Sequence, residues 1–301
     1  MARFLLNRPV VVGIDDSPYS LAALEWAARF AVRHRHPLRM VHVPGRHLDE
    51  TESLQRRVAA TLAAMNPSPT WVAWKVRPGS AAEILSEEAV AARLLVLGHR
   101  EPRPVIGSTL RGVLIRGVGR VAVVPGSWTP DPAPSRRIVV GIRDRRSVPA
   151  LDLAYDLAVA QGSTLCVVHV TRRPVPHPDR TVAQETRRIE AEGHAIVQTV
   201  LDEVNRRVDV PLDVQVVQGD PGEVLLRASS DAELLVLGGR LWAEIPVRLG
   251  SVVEQSLIHG DRPVAIAHPS RRRPLRQSAG DRSRSSMITN GTAGTRVDEL
   301  N

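Results

Sequence analysis

Two Gly-Ser pairs, Gly107-Ser108 and Gly250-Ser251, each open a segment of helical period. Glycine lets an anion approach the backbone, serine adds a hydroxyl donor, and the unpaired N–H groups of a helix start attract negative charge. The chemistry this allows is phosphate binding; the plainer reading is a turn glycine followed by a serine N-cap. Upstream of each pair, a Leu/Val run ends in a second cluster, Gly98-His99-Arg100 and Gly238-Gly239-Arg240. A third kind of cluster follows the first apolar run of each half, Asp15-Asp16-Ser17 and Arg143-Asp144-Arg145. Adjacent acids such as Asp15 and Asp16 point apart, which fits solvated turn residues better than a carboxylate pair for acid–base work. His34, His36, His42 and His47 match no zinc spacing, and His259 and His268 lack Ser–His–Asp logic. Cys166, inside the apolar run STLCVVHV, reads as core filler and leaves no disulfide framework. With no nucleophile, general base or metal triad assembled, no catalytic residue and no metal ligand is assigned, and the chain is expected to be a binder and not an enzyme.

The elements that must hold these clusters occur twice. VVVGIDDSPYSLAALEWAARFA returns as IVVGIRDRRSVPALDLAYDLAV, LLVLGHR as LLVLGGR, and GSTLRGVLIRGVGRVAVVP as GSVVEQSLIHGDRPVAIAHP. A period near half the chain is too long for a solenoid unit and marks two copies of one domain, residues 1–126 and 136–269. Within each copy, short Val/Ile/Leu runs alternate with longer segments of helical period, which predicts a parallel sheet covered on both faces by right-handed crossovers. Ser80 with Glu83 reads as a capping box at the third helix. In such a doubly wound, Rossmann-like α/β fold, ligands bind beyond the carboxyl ends of the strands, where the strand order reverses. The three clusters fall there. GSWTPDPAPSRR (126–137) is a proline-rich linker, and residues 270–301 read as a disordered basic tail.

Composition narrows the partners. The 301 residues carry a formal charge of +8, but residues 270–301 hold seven arginines against Asp281, Asp298 and Glu299, a net +4. Lys75 is the only lysine and aromatics make up 3%, so base stacking has little to draw on and nucleic acid is not an expected partner. No run approaches the roughly 20 apolar residues that span a bilayer. The opening MARFLLNRPVVVGIDD runs straight into a strand without a signal peptide's apolar region, and a cytoplasmic location is expected.

Together these residues resemble the universal stress protein family over both copies. The resemblance is carried by the VVVGID opening, by His42-Val43 and His169-Val170 ending the second strand, and by PGSAAEIL (78–85) and GDPGEVLL (219–226). VLG after the fourth strand and the GS-opened helix complete it. The resemblance implies, in each half, an adenine-nucleotide alpha hydrolase-like domain with a five-stranded parallel sheet of order 3-2-1-4-5. It also implies pairing of the two fifth strands as an intramolecular pseudo-dimer, a possible further homodimer, and a stress-response regulatory or adaptor role. Its nucleotide-binding branch carries G-x-x-G, nine further residues, then G-S or G-T, with an acid after the first strand at the adenosine end. By that pattern Asp15, Val43, Gly98, Gly107 and Ser108 in the first half, and Val170, Gly238, Arg240, Gly250 and Ser251 in the second, are the candidate contacts for ATP or another adenine nucleotide. Each half departs from it. Glu101 replaces the second glycine in the first half and only five residues separate it from Gly107; in the second, Leu241 replaces that glycine and Arg143 replaces the acid. Binding is therefore expected to be weakened in both halves, with a nucleotide-independent interaction scaffold or a slow ATPase as the alternatives.

Overall fold

The computed structural model describes residues 8–45, 50–100, 105–133, 135–174, 181–204, 209–239 and 249–269. The first half runs β1 (Val10–Ile14), α1 (Pro18–His34), β2 (Leu38–His42), α2 (Glu50–Ala63), β3 (Val72–Val76), α3 (Ala81–Ala91), β4 (Leu94–His99), α4 (Ser108–Arg116) and β5 (Arg120–Pro125). The second repeats it with β6 (Arg137–Ile142), α5 (Val148–Gln161), β7 (Thr164–Thr171), α6 (Val182–Glu203), β8 (Leu212–Gln218), α7 (Pro221–Ala228), β9 (Leu234–Gly238), α8 (Ser251–His259) and β10 (Val264–Ala267). A 3-10 turn over Arg145–Ser147, which the repeat did not suggest, precedes α5. The tail beyond residue 269 lies outside the described residues.

All ten strands join one sheet, in the order β3-β2-β1-β4-β5-β10-β9-β6-β7-β8. Counted from its outer edge, each half has the order 3-2-1-4-5, and the pairs within each half are parallel. The two sets are not separate sheets: β5 and β10 pair antiparallel, with Val123 opposite Val264 and Arg120 opposite Ala267. This pairing satisfies two strand edges that would otherwise present open N–H and C=O groups. It also turns the strands of one half against those of the other. The carboxyl ends of the first-half strands therefore fall along one edge of the sheet, and those of the second half along the opposite edge.

Apolar side chains fill both faces of the sheet, which is why the strands read as continuous runs and not as alternating ones. Val10, Val12 and Ile14 meet α1 and α2 on one face in a core that continues through Ile138, Val140, α5 and α6. Val11 faces the other side, in a core shared by α3, α4, α7 and α8 with Val139, Cys166 and Val168. Both cores cross from one half into the other. Coverage fails at β3, where Val72 and Val76 are exposed and the preceding Trp71 is 69% exposed, while Trp74 packs inward. Among the described residues, no helix is long and apolar enough to cross a membrane.

The capping box read at Ser80 and Glu83 does not form. Ser80 is the N-cap of α3 without a side-chain hydrogen bond, because Glu83 is drawn instead to Arg116 of α4 at 3.1 Å. A charge-assisted bond to a guanidinium outcompetes a neutral backbone donor.

Candidate functional site

At the first-half edge, β1 ends at Ile14 and the chain turns into α1 through Asp15, Asp16 and Ser17. Asp15 is exposed and its Oδ1 accepts from the Ser17 N–H at 3.1 Å and the Ser17 hydroxyl at 2.5 Å. Ser20, buried in the first turn of α1, donates its hydroxyl to the Asp15 carbonyl at 2.6 Å. The turn thus holds the Asp15 backbone and occupies one carboxylate oxygen. Asp16 points away and pairs with Arg57 of α2, so the two acids do not converge.

His42 closes the end of β2, its Nδ1 donating to the Ile14 carbonyl at 2.9 Å, and His169 makes the same bond to the Ile142 carbonyl at 2.9 Å. Both rings are buried and tie the first and second strands of their half together at the sheet edge. Val43 and Val170, the next residues, are half-buried and pack on the core shared with α3 and α7. The dipeptide that marked strand two in the sequence is therefore a strand clamp followed by a residue packed on the core.

The glycines divide into two kinds. A Cβ on Gly98 would lie 2.2 Å from the carbonyl oxygen of Tyr19, so this glycine is required by the approach of α1 to β4. Tyr19, which sequence reasoning passed over, also sets its ring against Gly126, and the Arg100 guanidinium lies 6.0 Å from its centroid. Gly238 at the corresponding end of β9 has its nearest atoms at 3.7 Å, and Gly107 and Gly250 have nothing within 4 Å. A Cβ at Gly238 would thus make ordinary contact, while Gly107 and Gly250 keep open space above the backbone.

Gly107 and Gly250 are the N-caps of α4 and α8, and Ser108 and Ser251 are the first helical residues, exposed; among the described residues no side chain caps either helix. The serine N-cap reading is thus replaced: the serines stand one position inside the helix, with Gly107 and Gly250 at the caps. In the second half, Arg143 stands where Asp15 stands in the first; its N–H donates to Ser147 Oγ at 3.0 Å and its guanidinium meets Asp144 at 3.1 Å. Arg240, Leu241 and Glu101 lie outside the described residues.

In the histidine-rich stretch, His34 and His36 stack with ring centroids 6.5 Å apart, and His47 lies outside the described residues. His34 reaches Gln161 at 3.0 Å and stacks on Phe30, while His42 is bound to its strand clamp. Among the described residues no three His, Cys, Asp or Glu side chains group as metal ligands. Cys166 is buried between Arg137 at 3.2 Å and Asp213 at 3.4 Å, and burial pushes its thiol above the usual range.

Two doubly wound α/β halves, each with an open glycine at a helix start beyond its fourth strand, define a tandem protein of the Rossmann-like class. The chain belongs to the universal stress protein family, whose model matches residues 7–125 and 134–268. It is 29% identical to universal stress protein Rv1996 of Mycobacterium tuberculosis, over 87% of this chain and 95% of that protein. Universal stress protein Rv2005c of the same organism is 28% identical over 87% of this chain and 97% of its own length. Among solved structures, a universal stress protein from Archaeoglobus fulgidus superposes with a TM-score of 0.60 at 17% identity, covering 86% of this chain and 98% of that one.

Proposed function

We propose that the protein is a cytoplasmic stress-response regulator or adaptor that retains weak adenine-nucleotide binding, ATP being the first candidate, and carries no catalytic machinery of its own. The observation that supports this most is the pair of uncapped helix starts, Gly107-Ser108 and Gly250-Ser251, with open space above each glycine. Such a start suits a phosphate. The remaining contacts are divided between the halves. Asp15 has one carboxylate oxygen outside its turn for the adenosine end, with Val43 and Gly98 beside it; Val170, Gly238 and Arg240 would serve the second half. Because β5 and β10 run antiparallel, the two crevices open at opposite edges, and Asp15 cannot complete the Gly250-Ser251 cradle. Each half must bind alone or not at all. The division at residues 1–126 and 136–269 belongs to the same reading, as does a protein partner, with membrane and nucleic acid left aside.

The test is acid extraction of the purified protein for adenine nucleotide, followed by calorimetric titration of ATP. A Kd of roughly 0.1–1 mM is expected, about 4–5 kcal/mol. Asp15→Ala and Ser251→Ala, made separately, assign the half that binds. No nucleotide in the extract and no heat at millimolar ATP would leave the nucleotide-independent scaffold. That reading is favoured by Arg143, whose charge is already taken up by Asp144 where an adenosine acid would stand. Steady ATP hydrolysis above a Ser108→Ala, Ser251→Ala double variant would instead support the slow ATPase.

A further inference from the structure

The seam between the halves is built from like strands and unlike charges. Within β5 (RVAVVP) and β10 (VAIA) the paired residues between Arg120 and Pro125 are alike in kind, so backbone pairing alone would join two first halves or two second halves as readily as one of each. The ion pairs flanking the strands do not share that symmetry. Arg93 of the first half binds Asp156 of α5 at 3.0 Å, and Arg120 binds Asp152 at 2.8 Å and Asp156 at 3.5 Å. In the other direction, Arg33 of α1 binds Glu233 at 3.1 Å. Each cation comes from the first half and each acid from the second.

The inversion falls on matched positions. Arg93 and Glu233 both precede the LLVLG strand, and their N–H groups make matching bonds, to the Pro9 carbonyl and to the Arg137 carbonyl, each at 2.9 Å. Both then reach across the seam to the first helix of the opposite half. Counting back from the left-handed caps Arg35 and Gly162, Asp156 corresponds to Arg29 and Asp152 to Glu25. Two first halves joined in this way would set Arg93 against Arg29 and Arg33, while Glu25 is already held by Arg29 at 2.8 Å. Two second halves would gather Asp152, Asp156 and Glu233, and Pro263 would stand in place of Arg120.

We propose that these six charges are a pairing code. The seam accepts only a first half against a second half, and it rejects like-with-like association through the fifth strands, both between chains and during folding. Partly exposed ion pairs add little stability, but a wrong pairing that brings like charges together is costly, and selectivity is the difference between the two. The short linker then raises the effective concentration of the correct partner within one chain.

Three full-length variants test this. R33E/R93E/R120E makes both sides of the seam acidic, D152R/D156R/E233R makes both basic, and the chain with all six substitutions restores complementarity with signs exchanged. Each triple variant is expected to melt below the wild type when alone. An equimolar mixture of the two is expected to form a 1:1 heterodimer of twice 32.9 kDa by light scattering. The six-fold variant is expected to be monomeric, with its melting temperature returned most of the way to wild type. If the triples fail to fold, the six-fold variant decides: no recovery overturns the code. It is equally overturned if the triples stay as stable as wild type and do not exchange on mixing.

Discussion

Gly98 has no room for a side chain, and its neighbour is backbone that cannot step aside. Gly98→Ala must push α1 from β4, with an expected loss of about 1–3 kcal/mol in urea unfolding. Gly238→Ala meets nothing closer than 3.7 Å and should cost far less, although the two glycines look interchangeable in sequence. His34 makes a second residue-scale case. Burial, with His36, Arg33 and Arg93 nearby, lowers its pKa to about 4. The unfolded chain then takes up a proton near pH 6.5 that the folded chain refuses, so stability falls as pH drops from about 6.5 towards 4. Between pH 7 and 5 this amounts to about 2 kcal/mol, and His34→Gln should flatten that part of the urea-midpoint profile.

At the scale of elements, the placement of Ser108 and Ser251 separates capping from ligand binding. An N-cap serine changed to alanine costs about 1 kcal/mol. These serines stand one position later and cap nothing, so Ser108→Ala and Ser251→Ala should shift stability by less than about 0.5 kcal/mol. Any effect on ATP titration would then be direct. The contact of α3 with the sheet edge is a different matter. Glu88, whose side chain is 6% exposed, takes Lys75 at 2.6 Å, Arg39 at 3.3 Å and Arg77 at 3.4 Å. Burial alone would raise its pKa, but the bonds from Lys75 and Arg39 outweigh that and hold it below the ordinary carboxylate range. That contribution is present above the ordinary Glu pKa and is lost as pH falls through the lowered folded value. Glu88→Gln leaves the cations against an uncharged amide, and a loss of about 1–3 kcal/mol is expected in urea unfolding at pH 7.

For the whole molecule, the governing fact is the antiparallel junction of β5 and β10. It turns the carboxyl ends of the two strand sets to opposite edges, so on the proposed reading a nucleotide in one half would not touch the other half's site. Titration of the intact chain should accordingly show independent behaviour, with Asp15→Ala leaving any second-half binding unchanged. The same junction lets both cores run from one half into the other. Denaturation is expected as one cooperative transition, checked by coincidence of tryptophan fluorescence and far-ultraviolet circular dichroism.

The sequence by itself determined the family and the doubled element order. Short continuous Val/Ile/Leu runs between segments of helical period fit strands covered on both faces, and the repeated motifs mark where those strands end. It could not separate Gly98 from Gly238, because a glycine needed for backbone approach and one where a Cβ would fit are the same letter. It misjudged Ser80 with Glu83, because Arg116 lies more than thirty residues on and competes only after α3 and α4 pack. Nor could it reveal that Arg33, Arg93 and Arg120 share a seam with Asp152, Asp156 and Glu233. Those contacts depend on the antiparallel strand pair and the helix packing beside it, which exist only once both halves are folded against each other.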